Sequence, residues 1–319
     1  MVEFEKVFDD KFDRLEGNGA LKYAMALAIS GRHNILIIKT KGKTSQDSLV
    51  QMFPMLMPKL SETEQVSVNS IWGMAGLERE DDMVSKRPFR FPHQTCSIEG
   101  MCGGGVHLRP GEISLAHNGM LLLENASEFR TSVLQMLRVP LESRMITLSR
   151  AGVSTSFPSN FQLAMTTDPC PCGCYGNKDR VCICSLKSIE VFWKKFSAPL
   201  LDRIAIRFDT NSDNAFIDKE YTLSELREMI AKAQTVQYER QGKLNADLVA
   251  TEVEMFIPLN DEARGVLDNA MEKSGMSARN YVNVMKVART LADMNGVENV
   301  DGDYIKKALN FLCELPYQY

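Results

Sequence analysis

Glu124 and Asn125 are polar residues at a position where a parallel β-sheet usually carries its chemistry. They directly follow Met120–Leu123, a continuous apolar run that is too short for a helix and typical of a buried parallel strand. In open α/β sheets, ligands bind just beyond the carboxyl ends of the strands. We therefore expect any phosphate-binding site to lie near these two residues. The alternative is a core strand followed by an ordinary polar loop.

A second candidate for phosphate chemistry follows the apolar run 34–38. Gly42, Lys43 and Thr44 lie between this predicted strand and a helical stretch that runs to about residue 57. A phosphate-binding P-loop needs this context, because backbone N–H groups and a helix N-terminus must converge on phosphate oxygens. The sequence thus indicates ATP with Mg²⁺ as a candidate ligand.

The P-loop pattern itself is incomplete. It requires a Gly five residues before the second Gly, and Ile37 occupies that place. If the distance from the strand is held fixed, Ser45 and Gln46 take the places of the Lys and the Thr. The loop is therefore either shortened or lacks its Lys, and nucleotide binding is weakened in both cases. A basic turn with no ligand is an equally good interpretation.

Five cysteines within a short segment indicate a metal site. Cys170, Cys172, Cys182 and Cys184 form two Cys-x-Cys pairs, and Cys174 is left as a spare thiol. Zn²⁺ takes four tetrahedral ligands in structural sites, and four thiolates are a common set. Because the usual spacing is Cys-x₂-Cys, a reduced thiol-rich loop remains the alternative. A metal here would be structural, since it would clip the loop after a core strand.

Hydrophobic periodicity supplies the elements that would position these residues. Apolar runs predict further strands at 161–165 and 204–208, a fifth strand within 60–100, and a hairpin of 145–149 with 153–157. Helical spacing occurs in 18–32, 222–241, 260–273, 277–295 and 301–314. The sequence therefore predicts an α/β protein with a five-stranded, mainly parallel sheet in residues 1–216 and a helical domain in residues 217–319.

Composition restricts the class of protein. The 319 residues are 44% hydrophobic and 24% charged with a net charge of −4, so the balance gives no support to DNA binding, although it leaves local cations in a ring pore possible. The N-terminus is charged and has no apolar signal segment, and no apolar run is long enough to span a membrane. We expect a cytoplasmic protein with reduced cysteines and no membrane partner.

Several motifs in preserved order together resemble one family. They are RPFR (87–90) with PH (92–93), GGG (103–105), PGEISLAHNG (110–119), PLES (140–143), DPCPCG (168–173), PLLDR (199–203), and SAR (277–279) through ART (288–290). With them, residues 15 to 315 resemble the AAA+ module of the magnesium-chelatase subunit I family, in particular its bacterial ComM/YifB branch.

This resemblance implies an αβα AAA+ core of the P-loop type followed by a helical lid that packs over the nucleotide cleft. It also implies ATP-driven assembly into a ring, with further copies of the chain or an AAA+ paralogue as partners. The ComM branch includes a DNA motor, so DNA is an implied ligand. The Gly-rich segment and the hairpin correspond to the family's two insertions facing the ring pore.

The departures from the family pattern fall at the nucleotide site. The family's central strand ends in Asp-Glu, where Asp holds the Mg²⁺ shell and Glu positions the attacking water. Glu124 and Asn125 occupy these places, and an amide cannot accept a proton. Asp168 replaces the Asn that senses the γ-phosphate, and its charge would repel a triphosphate.

Two arginines match the family pattern. Arg203 corresponds to the arginine finger that acts across the subunit boundary, and Arg279, at the start of a lid helix, corresponds to the second sensor. Without the resemblance, both would be read as surface or salt-bridge residues.

Two functions therefore remain open. The first is a hydrolysis-deficient AAA+ relative that acts as a scaffold or regulatory ring subunit. The second is an active Mg²⁺-dependent ATPase motor on DNA with divergent motifs. The lost catalytic carboxylate and the altered phosphate loop favour the first.

Overall fold

A computed structural model describes residues 2–6, 10–39, 44–77, 85–211, 217 and 219–313. The strands are β1 (Ile35–Ile38), β2 (Phe89–Arg90), β3 (Gly103–Gly104), β4 (Arg109–Pro110), β5 (Met120–Leu123), β6 (Met145–Arg150), β7 (Val153–Pro158), β8 (Gln162–Thr167) and β9 (Ile206–Asp209). Five of them form one parallel sheet in the order β2-β5-β8-β1-β9. The predicted five-stranded sheet and the predicted positions of its strands are confirmed.

The helices lie before, between and after these strands. They are α1 (Lys11–Arg14), α2 (Gly19–Gly31), α3 (Thr44–Val50), α4 (Phe53–Leu56), α5 (Glu62–Met74), α6 (Ile98–Cys102), α7 (Glu112–Leu115), α8 (Thr131–Met136), α9 (Pro140–Ser143), α10 (Leu186–Lys194), α11 (Ala198–Leu201), α12 (Leu223–Gln241), α13 (Ala250–Phe256), α14 (Asp261–Ser274), α15 (Ala278–Asn295) and α16 (Gly302–Asn310), with 3₁₀ turns at Ala126–Glu128 and Asn245–Asp247. The predicted C-terminal helical region is confirmed.

The sheet separates two hydrophobic cores because side chains alternate between its faces. Ile35 and Ile37 of β1 enter one core with α2 and the C-terminal helices. Leu36 and Ile38 enter the other core with Trp193. All four residues of β1 and of β5 are buried, which explains why the strands read as unbroken apolar runs.

A buried polar network joins α2 and β1 to the C-terminal helices. The His33 ring contacts the hydroxyl of Thr290 at 2.7 Å, and Asn245 donates to the same hydroxyl at 2.9 Å. Asn245 also donates to the carboxylate of Asp293, which accepts from Arg240 at 2.7 Å as well. The segment between α2 and β1 is therefore bonded to the helical bundle through largely buried groups.

Two small antiparallel pairs project from the sheet. Strands β6 and β7 pair over their full length, which confirms the predicted hairpin. Strands β3 and β4 form the shorter pair in the glycine-rich segment. Gly103 has a φ of +100°, and a Cβ atom there would lie 2.3 Å from the carbonyl oxygen of Arg109, so only glycine fits.

No helix within the described ranges combines the length and the apolarity needed to cross a bilayer.

The parallel sheet has two chemically different edges: the carboxyl edge, where its strands end, and the amino edge, where its strands begin. The carboxyl edge carries Lys39, Glu124 and Asp168, which directly follow β1, β5 and β8. The amino edge carries Asn34, directly before β1, whose side chain donates to the carbonyl oxygen of Arg203 at 2.8 Å. Arg203 thus lies at the opposite edge from the polar strand ends.

Candidate functional site

Lys39 places a buried ammonium group at the carboxyl edge. Its side chain is only 8% exposed, forms an ion pair with Asp47 of α3, and donates to the amide oxygen of Asn125 at 3.0 Å. The backbone N–H of Lys39 bonds to Thr167 of β8. This side chain therefore starts at the end of β1 and reaches the polar end of β5.

Asn125 is held in place by its own backbone. Its N–H donates to the hydroxyl of Thr166 at 2.9 Å, and its φ of +50° is a left-handed conformation that Asn tolerates well. With its amide oxygen accepting from Lys39, Asn125 has no group able to take a proton from water.

The two predicted carboxylates of the site, Glu124 and Asp168, are half-buried. Glu124 accepts a long contact of 3.4 Å from Gln51 of α3. Asp168 follows β8, and the hydroxyl of Thr167 donates to its backbone carbonyl. Among the described residues, no three carboxylates lie close enough together to hold a cation.

Most of the predicted phosphate loop lies outside the described residues. Gly42 and Lys43 are in that part of the chain, as is the side chain of Thr44. Ser45 lies in the first turn of α3 and Gln46 is buried, with its side-chain oxygen 3.4 Å from the hydroxyl of Thr210. Ser45 therefore lies in the first helical turn, at the place that the family's Lys takes when the distance from the strand is held fixed.

Sequence reasoning missed Lys39 as a residue of this site. It follows the apolar strand directly, at the place of the first Gly when the distance from the strand is held fixed. A charged side chain at a position that normally needs Gly was the available signal, since backbone and phosphate approach closely there. Its direction and partners could not be read from the sequence.

The four cysteines predicted as metal ligands lie together. Cys170, Cys172, Cys182 and Cys184 place their sulfurs within 4.8 Å of one another. Three of the sulfur–sulfur distances are 3.4, 3.7 and 3.6 Å. Tetrahedral Zn–S bonds of about 2.3 Å would set the sulfurs about 3.8 Å apart. The donor set and its spacing therefore fit Zn²⁺, whose binding stays a prediction.

The cluster is anchored in the protein core, and backbone hydrogen bonds favour the thiolate form of one of its cysteines. Cys170 is fully buried in the same core as Trp193, whose indole N–H donates to the carbonyl of Pro169 at 3.0 Å. Hydrogen bonds from the backbone N–H groups of Ile183 and Cys174 lower the pKa of Cys172 to about 6. Cys174 is outside the set of four, and its thiol faces the carbonyl of Cys172.

The two predicted arginines lie together at the amino edge. Arg203 forms an ion pair with Glu142 and donates to the carbonyl of Pro199, and Arg279 lies 3.2 Å from the same carboxylate. The bond from Arg203, and then the charge of Arg279, hold the pKa of Glu142 below its usual range. Glu142 thus holds the two guanidinium groups side by side.

This arrangement corrects one expectation about the lid. Helix α15 begins beside Asp202, which accepts hydrogen bonds from Ser277 and Asn280 at 3.1 Å. The prediction that the bundle packs over the nucleotide cleft is therefore wrong for the end that carries Arg279, because that end lies at the amino edge. Arg203 and Arg279 therefore lie at the end of the sheet opposite to the polar strand ends of their own chain.

An open cleft of about 610 Å³ surrounds the two arginines. Its charged lining consists of Arg32, Arg144, Arg203, Arg279 and Lys286 with Glu142, Asp202 and Asp247. Burial lowers the pKa of Lys286 to about 8, because an ammonium loses hydration there. The cleft carries more cationic than anionic groups, so it suits a negatively charged surface.

Comparison with known proteins assigns almost the whole chain. Residues 11–216 match the family model for magnesium chelatase, subunit ChlI, and residues 221–312 match the model for the C-terminal part of that subunit. The chain is 35% identical over 301 residues to competence protein ComM of Haemophilus influenzae, covering 92% of this chain and 58% of ComM.

Two further relatives show the same coverage. The chain is 32% identical over 296 residues to the uncharacterized protein YifB of Escherichia coli, covering 91% of this chain and 58% of YifB. It is 31% identical over 305 residues to the uncharacterized protein Mb2921c of Mycobacterium bovis, covering 92% and 60%. The chain thus spans about three fifths of the length of these curated relatives.

Proposed function

Because this chain belongs to the magnesium chelatase subunit ChlI family, in its ComM/YifB-like branch, we propose that it is a hydrolysis-deficient AAA+ subunit of a ring. It would act as a scaffold or regulatory subunit beside further copies of itself or a competent AAA+ paralogue. The observation that carries the proposal is the contact of Lys39 with Asp47 and Asn125 at the carboxyl edge.

This contact supports the loss of hydrolysis in two ways. Asn125 stands where the family has the carboxylate that orients water, and the loss of such a group typically costs about 10²- to 10⁴-fold in rate. The ammonium of Lys39 fills space at the end of β1, where the loop of a working site must let backbone approach phosphate. Asp168 adds negative charge at the same edge. ATP with Mg²⁺ would bind weakly.

The amino edge supports a role for the chain in a neighbour's site. Arg203 and Arg279 are both held by Glu142 at a distance from their own carboxyl edge. A head-to-tail contact joins two different surfaces of the chain, and we propose that these are the amino edge of one subunit and the carboxyl edge of the next. Both arginines would then contact the nucleotide site of the adjacent subunit. They can keep this role in a chain that does not itself hydrolyse ATP.

The second candidate function is an active Mg²⁺-dependent ATPase motor on DNA. The retained carboxylate of Glu124 favours it, since a Glu can still hold a Mg²⁺ shell. The similarity to competence protein ComM favours it as well. The net charge of −4 adds nothing in favour of DNA.

Nucleotide titration with and without Mg²⁺, followed by steady-state turnover, separates the two functions. We expect weak or absent binding and a turnover at least about a hundredfold below that of a relative with an intact nucleotide site, because one positioned base is lost. Turnover near about one per second, the low end for enzymes, that disappears in Asn125→Ala or Lys43→Ala would overturn the proposal.

A further inference from the structure

Helix α3 is bonded to the ends of three parallel strands by side chains of this chain itself. Asp47 of α3 forms an ion pair with Lys39, which directly follows β1. Gln46 of α3 and Gln51, directly after it, make contacts of 3.4 Å with the residues that directly follow β9 and β5. The helix after the predicted phosphate loop is therefore tied to the carboxyl edge along its length.

The ammonium of Lys39 is the centre of these contacts. Its side chain is 8% exposed, and besides Asp47 it donates to the amide oxygen of Asn125 at 3.0 Å. Asn125 is itself tied to β8, because its backbone N–H donates to the hydroxyl of Thr166 at 2.9 Å. Lys39, Asp47, Asn125 and Thr166, which we call the lysine clamp, thus connect α3 with the ends of β1, β5 and β8.

The lysine clamp makes a connection that a nucleotide normally makes in a P-loop fold. In a working site, Mg²⁺ and the phosphates link the hydroxyl at the start of the helix after the phosphate loop to the carboxylate at the end of the catalytic strand. The ammonium of Lys39 links the same helix to the end of β5, and it is covalently part of the chain. Hydrogen bonds from a charged donor are about twice as strong as neutral ones, and a buried ammonium keeps its partners because losing one is costly.

We propose that the lysine clamp is a built-in substitute for bound nucleotide, which holds α3 against the carboxyl edge whether or not ATP is present. Lys39 is the positioning residue, and Asp47 and Asn125 are the groups that it holds. A subunit of this kind keeps one conformation of its carboxyl edge while competent neighbours bind and hydrolyse ATP. The inference rests on the hydrolysis deficiency proposed above and adds that the chain does not respond to nucleotide.

The first test removes the ammonium and measures how often α3 opens. Lys39→Met keeps a side chain of similar length without the charge, and amide hydrogen exchange reports local opening. We expect the backbone N–H groups of residues 48–51 and of Asn125 to exchange about tenfold to a hundredfold faster in the variant, the usual effect of losing a hydrogen bond to a charged group. Exchange at the rate of the wild type would overturn the inference.

A matched control and an internal reference accompany this measurement. Lys306→Met removes a lysine whose ion pair with Asp303 is exposed, with side chains 60% and 72% accessible, so it should leave exchange in α3 unchanged. Leu49 and Val50 of α3 are fully buried, so Lys39→Met should keep the fold and open α3 only locally. Unchanged exchange in α15 verifies that the opening is local.

A double-substitution cycle tests whether Lys39 and Asp47 act as one unit. Asp47→Ala should speed exchange in α3 more than Lys39→Met does, because it leaves the buried ammonium without its carboxylate. The double variant should resemble Lys39→Met alone, since no ammonium then remains to be paired. Independent, additive effects of the two substitutions would show that no clamp exists.

The second test asks whether the clamp takes the place of nucleotide. Ser45→Lys restores the family's Lys and leaves the clamp closed, whereas the double variant Lys39→Gly/Ser45→Lys also restores the family's Gly and removes the clamp. With millimolar ATP and Mg²⁺, exchange of residues 48–51 should slow about tenfold in the double variant and stay unchanged in the wild type and in Ser45→Lys. An equal response in Ser45→Lys, or no response in the double variant, would overturn the inference.

The outcomes separate this inference from the proposed function. If Lys39→Met exchanges like the wild type and the wild type has no turnover, the clamp fails and the hydrolysis-deficient subunit stands. If the wild type turns over ATP while Lys39→Met loosens α3, the proposed function fails. Exchange in α3 of the wild type that changes on addition of ATP refutes the inference whatever the turnover.

Discussion

Substitution of one cysteine in the sulfur cluster tests whether the chain carries a structural metal. Cys172→Ser replaces a thiolate by a hydroxyl of similar size, and hydroxyls are poor ligands for Zn²⁺. We expect about one zinc per wild-type chain after purification without chelator, and much less than one in the variant. The sulfur–sulfur distances of 3.4 to 3.7 Å are the basis of this expectation.

The size of the stability effect follows from mass action. A ligand at about a thousand times its dissociation constant stabilises the folded state by about 4 kcal/mol. In a domain of 150–250 residues, each kcal/mol shifts the melting temperature by about 2–4 °C. Cys170 is buried against the Trp193 core, so unfolding of that core should release the metal. Because the chain has 319 residues, we take the smaller shift of about 2 °C per kcal/mol. The loss of about 4 kcal/mol then lowers the melting temperature by about 8 °C.

Elemental analysis and scanning calorimetry, with and without a chelator, measure both quantities. Cys174→Ser is the matched control, because its thiol belongs to the same loop and lies outside the set of four. It should keep the metal and the melting temperature of the wild type. Wild-type protein without metal would refute the reasoning, as would equal metal loss in the Cys174→Ser control.

Three further predictions concern the carboxyl edge and the buried polar network. Asn125→Glu alone should leave ATP turnover at least about a hundredfold below that of a relative with an intact nucleotide site, because Ser45, Lys39 and Asp168 remain changed; robust phosphate release would contradict this. Burial lowers the pKa of His33 to about 3, so its neutral ring stabilises the fold above its ordinary value near 6.5, and this contribution is lost as the pH falls from 6.5 towards 3. Thermal unfolding of the wild type should therefore be more acid-sensitive over that range than unfolding of His33→Gln, and equal sensitivity would refute it. Asp293→Ala should cost about 3–5 kcal/mol in urea unfolding, because the carboxylate is fully buried and Arg240 and Arg289 lose their partner. Asp303→Ala, at a side chain 72% exposed, should cost less than about 1 kcal/mol, and similar losses in both variants would contradict the argument.

The sheet could be predicted from the sequence because its strands are buried on both faces. Met120–Leu123 and Ile35–Ile38 read as unbroken apolar runs for that reason. The direction of the strands then places Glu124, Asn125 and Asp168 at one edge. The four clustered cysteines could also be predicted from the sequence, because two Cys-x-Cys pairs joined by a short loop leave few ways to bring four sulfurs together.

The orientation of the lid and the role of Lys39 could not be predicted in this way. Helical periodicity identifies an apolar face in α15 and says nothing about which end of the sheet that face covers. The position of Arg279 depends on contacts such as Asn280 with Asp202, between residues far apart in the chain. The reach of Lys39 to Asn125 likewise depends on the register of β1 against β8.

The burial of α2 has a consequence for how the chain is made. Nearly all of its side chains are buried, and they share one core with α12 and α15, which lie more than 190 residues later in the sequence. During synthesis, α2 therefore leaves the ribosome long before the helices that cover it. Until the C-terminal segment emerges, one apolar side of α2 has no partner within the chain. We therefore expect a nascent chain that ends before α15 to expose this side of α2 and to bind chaperones there.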